Sequence, residues 1–320
     1  MPPNPSLNIL AVRLGSMGDV IHALPAVATL KHNFPGCRLT WAIHPRWAVL
    51  LEDNPFVDSV VTVDRWSLSS MRKAWRDLRA RRYDFAVDFQ GLIKSALAAS
   101  VARPDRIFGL HQSQAREGVA ALFYSNRVRT ESKHVVDRNL ELAAATGASS
   151  MLYAFPLPEG TAEGELPEGE FVLASPLGGW AAKQWPMEFY RALARRLDAE
   201  LGLPLVLNCR RQAAQLLVAA GPAKRHFSGI AGLIHATRRA AAVVGIDSGP
   251  LHIAAALEKP GVAIFGPTDP ARNGPYGGSI AVLRSPRAST SYKRQPEISA
   301  PMREISPDAV FEALKERLGR

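Results

Sequence analysis

The sequence is poor in cysteine, in long apolar runs and, over one stretch, in acid. Only two cysteines occur in 320 residues, Cys37 and Cys209, far apart and in no metal-like spacing. That excludes a disulfide scaffold or a thiolate zinc site and suits a reducing compartment. No stretch reaches the roughly 20 apolar residues that span a bilayer. The opening Met1-Pro2-Pro3-Asn4-Pro5 lacks a basic n-region, and the apolar run behind it is only Ile9 to Val12. No secretory signal is expected, and a cytoplasmic location is predicted. No Asp or Glu lies between Glu200 and Asp247, and no Asp-x-Asp pair occurs anywhere. The pair that commonly holds a metal is thus missing, and neither a metal nor a cofactor is expected.

What is present is a globular composition: 47% hydrophobic residues and 21% charged. The length favours two domains over one. The net charge of +10 favours anionic partners such as nucleotides, phosphorylated sugars, anionic lipid or nucleic acid.

Short apolar strands alternate with helical patterns. Asn8 to Arg13, Arg38 to Ile43, Ser59 to Val63 and Phe85 to Phe89 read as strands, with helices at Val20 to Asn33 and Ser70 to Arg82. Residues 147 to 170 then turn rich in Pro, Gly and Glu, a linker composition. The alternation restarts with strands at Phe171 to Ala174, Leu205 to Asn208, Ala241 to Ile246 and Val262 to Phe265. Helices are expected at Pro186 to Leu201, Gly232 to Arg239, Pro250 to Leu257 and Pro307 to Leu318. The predicted fold class is α/β, with two doubly wound, Rossmann-like domains at 1–155 and 170–306 and a cleft between them. Ligands in such sheets bind beyond the carboxyl ends of the strands.

Four strand-end loops carry chemistry. Gly245-Ile246-Asp247-Ser248-Gly249-Pro250-Leu251-His252 runs from a buried strand into a helix, with Pro250 suited to the first turn. Backbone N–H groups and the helix dipole there favour a phosphate or diphosphate. The same octapeptide is also compatible with an ordinary capped junction. Arg13-Leu14-Gly15-Ser16-Met17-Gly18-Asp19 follows the first strand. It is neither a G-x-G-x-x-G fingerprint nor a Walker A loop, which argues against a redox Rossmann enzyme or a P-loop NTPase. Asp19 is either a helix cap or a general base. Gly178 and Gly179 follow a strand, and Lys183-Gln184-Trp185-Pro186 opens a helix, so Lys183 can reach a phosphate. Gly266-Pro267-Thr268-Asp269-Pro270 ends a fourth strand. Arg65 to Arg82 carries seven basic residues and one acid, with Met71, Trp75 and Leu78 as an apolar stripe beside Arg72, Arg76 and Arg79. That segment reads as a solvated helix face or as a dock for an anionic surface.

In family order, these pieces resemble glycosyltransferase family 9, the lipopolysaccharide heptosyltransferases. They are Ser16-Met17-Gly18-Asp19-Val20, Asp88-Phe89-Gln90-Gly91-Leu92-Ile93-Lys94-Ser95, Lys183-Gln184-Trp185-Pro186, Asp247 to His252, and Phe265 to Pro270. Arg72-Lys73-Ala74-Trp75 and Ala115-Arg116-Glu117 lean towards the heptosyltransferase I branch. The resemblance implies a GT-B fold, with 307–320 a last helix packed back on the first domain. It implies inverting, metal-independent transfer of heptose from ADP-heptose to a Kdo sugar of Kdo-lipid A, at the anionic inner face of the cytoplasmic membrane.

The implied roles are these. Asp19 is the base, and Lys183 steadies the leaving diphosphate. Ser16, Met17, Gly18, Gly178, Gly179, Gln212, Asp247, Ser248, Gly249 and His252 contact the donor. Arg65, Arg72, Lys73, Arg76, Gln90, Lys94 and Arg116 contact the acceptor. One departure concerns the nucleotide: Asn208-Cys209-Arg210-Arg211-Gln212 lacks the acidic residue that family members commonly place there for the ribose. The alternatives are heptosyltransferase II or another family 9 transferase with a different nucleotide-sugar, an epimerase or hydrolase on the same fold, and a non-catalytic binder of nucleic acid or anionic lipid. Nucleic acid is not the expected partner.

Overall fold

The computed structural model describes residues 7–64, 66–291 and 295–320. The chain divides into two units, Met1–Pro156 and Leu157–Arg320.

The first unit contains, in order, β1 (Asn8–Val12), α1 (Met17–Asn33), β2 (Arg38–Ile43), β3 (Ser59–Thr62), α2 (Leu68–Arg79), β4 (Phe85–Asp88), α3 (Ile93–Val101), β5 (Arg106–Leu110), β6 (Asn126–Val128) and α4 (Val135–Ala144). Its six strands are parallel, in the order β3-β2-β1-β4-β5-β6. The second unit contains β7 (Val172–Ala174), α5 (Met187–Leu201), β8 (Leu205–Cys209), β9 (Lys224–Phe227), α6 (Ile230–Arg239), β10 (Ala242–Ile246), α7 (Gly249–Ala256), β11 (Gly261–Phe265), α8 (Pro270–Asn273), β12 (Ile280–Arg284), α9 (Ala300–Arg303) and α10 (Pro307–Leu318). Its strands are parallel in the order β12-β11-β10-β7-β8-β9. Counted within each unit, both sheets follow the order 3-2-1-4-5-6 of doubly wound nucleotide-binding sheets.

The strand sequences explain their places. Ile9, Leu10, Ala11 and Val12 are fully buried, as are the apolar residues of β10 and β11. Such unbroken apolar runs suit central strands covered on both faces. The edges are more polar. β9 reads Lys-Arg-His-Phe with Lys224 and Arg225 exposed, and β6 is only three residues long. Charge and shortness protect an open edge from pairing with another chain.

The stretch read as a linker is held within each unit. Asn33 donates to the Ser150 carbonyl at 2.7 Å, and the Leu152 amide donates to Thr29 Oγ1 at 2.9 Å. On the other side of Pro156, Glu163 Oε2 accepts from the Gly229 amide at 2.6 Å and so caps α6.

The last helix, α10, contributes Val310, Phe311 and Leu314 to the core of the second unit, beside Leu193 and Leu197 of α5 and Val262 and Ile264 of β11. Polar contacts at its start fix the same placement. Trp185 Nε1 donates to the Ile305 carbonyl at 2.8 Å, and Arg196 holds Asp308 at 3.0 Å and Glu312 at 2.6 Å. The Arg196 guanidinium also lies 3.9 Å from the Phe311 ring centroid. The β10–β11 flank of the sheet needs an apolar cover, and α10 supplies it.

Phe311→Ala is expected to lower the unfolding free energy by about 3–5 kcal/mol, because it empties a fully buried ring. Urea unfolding followed by Trp185 fluorescence measures this. An unchanged midpoint would contradict the placement of α10.

Candidate active site

The Asp19 loop with Gln90, and Lys183 with Asp247 and Ser248, lie where each strand order reverses, between β1 and β4 in the first unit and between β7 and β10 in the second. At such a point the flanking connections leave in opposite directions, and a crevice opens beyond the carboxyl ends.

In the first unit, Asp19 is the third residue of α1 and makes a capping box with Ser16. The Ser16 amide and Oγ both donate to Asp19 Oδ2 at 2.9 Å. The Arg13 guanidinium pairs with Asp19 Oδ1 at 2.5 Å. Arg13 is buried, while the Asp19 side chain keeps 30% exposure. Burial pushes the Asp19 carboxyl upward, but the Arg13 charge and the Ser16 donors outweigh it, and the net direction is down. Asp19 is therefore a carboxylate throughout the neutral range. Gly15 makes the loop possible: its φ is 144°, and a Cβ there would collide with the Trp47 indole.

The β4–α3 loop is tied to this junction. Gln90 Oε1 accepts from the Leu14 amide at 2.8 Å, and Arg13 also donates to the Phe89 carbonyl. Beneath it, Asp88 is fully buried and accepts from Tyr124 at 2.6 Å, Ser95 Oγ at 2.8 Å and the Gln90 amide at 2.8 Å. Burial raises the Asp88 carboxyl against these donors. Gly91 has a φ of 66° and faces Ala115 and Arg116; Glu117 Oε2 caps α3 at the Ile93 amide, 2.7 Å away.

The first unit thus brings together Ser16, Met17, Gly18, Asp19, Gln90 and, through Gly91, Arg116. Gln90 is largely buried, with its amide oxygen committed to the backbone. Lys94 is exposed near the start of α3. Arg72, Lys73 and Arg76 lie exposed on α2, where Lys73 and Arg76 share Asp77 at 2.7 and 3.4 Å. Arg65 lies outside the described residues.

In the second unit, Lys183 ends the turn Ala181–Lys183 after β7 and reaches Asp247, the first residue after β10. Their atoms are 2.6 Å apart, with side-chain exposures of 15% and 6%. Lys183 Nζ also lies 4.3 Å from the Trp180 ring centroid. Ser248 caps α7 in extended backbone, and Pro250 falls in the first turn. The buried Ser248 Oγ and Thr268 Oγ1 have no hydrogen-bond partner among the described residues. The unpaired Ser248 hydroxyl at the α7 N-terminus is a donor held ready for an anion. Gly178 and Gly179 sit between β7 and that turn, and the Gly178 carbonyl accepts from Gln184 at 3.3 Å. His252 is buried in α7. Gln212 is exposed at the turn after β8, while Asn208 is committed to His226 at 2.9 Å and Ser228 at 2.7 Å.

Arg13 and Thr268 escaped the sequence reading as site residues. An Arg at a strand end before a glycine, six residues ahead of the acid, was the available signal for Arg13. Nothing in the spacing singles out Thr268 within its loop.

Residues 71–301 match glycosyltransferase family 9 (heptosyltransferase). The chain belongs to that family. It is similar to lipopolysaccharide heptosyltransferase 1 of Pseudomonas aeruginosa, at 32% identity over 305 residues, covering 87% of this chain and 84% of the relative. The enzyme of the same name from Escherichia coli K12 is 30% identical over 309 residues, covering 88% and 94%. The solved E. coli heptosyltransferase WaaC with ADP matches with a TM-score of 0.77 and 26% identity, over 97% of this chain and 100% of that one. The protein is a glycosyltransferase of the GT-B fold class.

Two outcomes follow from the geometry. Arg13→Met removes the charge that lowers Asp19 and leaves burial to raise it, so the Asp19 carboxyl titrates at higher pH than in the parent. NMR titration of the Asp19 carboxyl reads this, and coincident titrations in the two proteins would contradict the pairing. The same pair contributes stability above the unfolded Asp value, and that stability is lost as pH falls through the depressed folded value. Lys183→Ala tests the diphosphate role expected from the sequence: if Lys183 holds that group, ADP affinity falls by about tenfold or more, the usual loss for a charged hydrogen bond to phosphate. Calorimetric titration with ADP reads it, and an unchanged Kd would remove Lys183 from the diphosphate site.

Proposed function

We propose that this family 9 transferase moves L-glycero-D-manno-heptose from ADP-heptose to a Kdo sugar of Kdo-lipid A, with inversion, as a heptosyltransferase I. The observation that carries the reading is the Lys183–Asp247 pair beside the unpartnered Ser248 hydroxyl at the α7 N-terminus. A diphosphate satisfies that hydroxyl, the Gly249 amide and the lysine at once. ADP in the similar WaaC structure and the heptosyltransferase 1 names of both relatives support the donor and the branch.

Asp19 takes the proton of the attacking acceptor hydroxyl. The oxygen attacks the anomeric carbon from the face opposite the diphosphate, the C–O bond to phosphate breaks, and ADP leaves with the electron pair. One displacement inverts the centre. Lys183, Ser248 and the α7 N-terminus stabilise the charge that develops on ADP, and this arrangement asks for no metal ion. Asp247 positions Lys183, and His252 with Gly178 and Gly179 shapes the donor pocket. Gln212 is placed to bond the ribose from the turn after β8, where no carboxylate is available. Arg72, Lys73, Arg76, Lys94 and Arg116 face the anionic acceptor, and Gln90 holds the base loop. The protein works at the inner face of the cytoplasmic membrane, where its acceptor is anchored.

Asp19→Ala is expected to cut transfer by about 10²–10⁴-fold while ADP affinity stays within a few-fold, as loss of a general base predicts. Single-turnover transfer and ADP titration on the same preparation measure both. Transfer at the parent rate would remove the base assignment. A donor panel of ADP-, UDP- and GDP-sugars against Kdo-lipid A and a heptosylated acceptor fixes the substrates, and preference for the heptosylated acceptor would assign the heptosyltransferase II reaction instead.

A further inference from the structure

α2 carries two apolar faces, of which only one is used. Ala74 and Leu78 turn inward and are buried. Leu68 and Trp75 point to solvent at 76% and 51% exposure, with Met71 beside them and Trp66 just ahead at 80%. The stripe expected from the sequence, Met71-Trp75-Leu78, is therefore split: Leu78 belongs to the core and the other two to the surface.

The outward face continues onto its neighbours. α2 packs against α3, and α3 packs against the short turn Gly118–Phe123. Leu97 of α3 and Leu122 of that turn are exposed as well, Leu122 at 72%. Most of the large exposed apolar residues of the described chain belong to this one flank of the first unit. Isolated exposed apolar residues need no explanation, whereas a cluster on three packed elements does. The surroundings are basic. Arg72, Arg76 and Arg79 share α2 with the apolar residues, and Arg79 lies 4.9 Å from the Trp75 ring centroid. Tryptophans with leucines, ringed by arginines on a short helix, suit the boundary between lipid headgroups and acyl chains. Both α2 and α3 also start from the carboxyl-terminal edge of the sheet, the edge that carries the Asp19 loop.

We infer that this flank is a membrane-inserting face: Trp66, Leu68, Met71 and Trp75, with Leu97 and Leu122, enter an anionic leaflet while the basic residues of α2 engage its headgroups. The inference rests on the lipid-anchored acceptor proposed above and adds the means by which the enzyme stays at that surface. Anchoring is apolar as well as electrostatic, so raised salt weakens it without abolishing it.

Vesicle flotation tests it, with the full-length protein and vesicles of phosphatidylglycerol and phosphatidylethanolamine. The combined variant Trp66→Ser, Leu68→Ser, Trp75→Ser is expected to lose more than about tenfold in partitioning, since three exposed side chains forfeit their apolar transfer. Brominated lipid should quench the parent fluorescence and leave that of the variant unchanged, because Trp66 and Trp75 are the inserted fluorophores. Replacing phosphatidylglycerol with phosphatidylcholine should cost the parent about fivefold for each basic residue engaged. Equal partitioning of parent and variant would make the contact purely electrostatic and overturn the inference. Absence of vesicle binding, or tighter binding to duplex DNA than to vesicles, would overturn it too. Transfer to an acyl-free Kdo acceptor serves as the folding control and is expected to be equal for both proteins. Loss of that transfer in the parent would refute the proposed reaction while leaving the vesicle result to stand or fall by itself.

Discussion

A parallel sheet wound in both directions leaves a crevice where its strand order reverses, and the polar groups at that place must find partners. Both units are built on this constraint. Buried backbone and charge without a partner cost several kcal/mol in free energy. The loops at each reversal therefore tie to one another across the gap. In the first unit the ties are Leu14 to Gln90 and Arg13 to Phe89, and in the second Lys183 to Asp247. Each bond joins two loops far apart in sequence and fixes the side chains they carry.

The two reversals differ in which groups are satisfied. In the first, both carboxylates are held: Asp19 takes three donors, and Asp88 takes Tyr124, Ser95 and backbone amides, while the buried Arg13 Nε has no hydrogen-bond partner among the described residues. The second leaves the Ser248 hydroxyl, next in the chain to the lysine-paired Asp247, buried and unmatched, and the loop after β11 adds an unmatched Thr268 hydroxyl. A held carboxylate suits a group that must keep its orientation while substrates come and go. An unmatched hydroxyl suits the place where a diphosphate contributes the missing acceptors, because the ligand then relieves a cost that the folded protein carries alone.

The central strands and long helices were legible because burial on both faces writes an unbroken apolar run, and helices against a sheet repeat near every fourth residue. β5, β6, β9 and β12 were not legible. The last three are edge strands, short or charged, and their sequences resemble loops for the physical reason that edges must resist pairing; β5 is interior but opens on Arg106 and breaks its apolar run with Gly109. Helices α3 and α4 escaped for the opposite reason: Ala-rich stretches such as Ser95 to Val101 carry little amphipathic contrast. At the site, residues whose role is local were visible, as with Asp19 after two glycines and Ser248 before a proline. Residues whose role depends on a distant partner were not. Arg13 is a site residue only because α1 folds back to place Asp19 beside it. Trp75 and Leu78 look equivalent on a helical wheel, and only the packing of α2 on α3 sends one outward and the other in.

In the reaction proposed above, the strength of Asp19 as a base is where structure and chemistry meet most sharply. A carboxylate held low by Arg13 and by the first turn of a helix is a weak base, and a free alcohol is far too weak an acid to surrender its proton to it. The difficulty disappears if bond formation runs ahead of proton transfer. As the acceptor oxygen bonds to a carbon that has largely lost its leaving group, the hydroxyl becomes an oxonium and its proton becomes strongly acidic. A weak base then suffices, and a fixed orientation matters more than basicity. Such a reaction needs the leaving diphosphate to depart early, and early departure needs strong stabilisation of its charge. Lys183 and the N-terminus of α7 are suited to that demand. Under the proposed reaction, the low basicity of Asp19 and the unmatched donors of the second unit answer one requirement, a dissociative displacement with a well-held anion and a well-aimed, undemanding base.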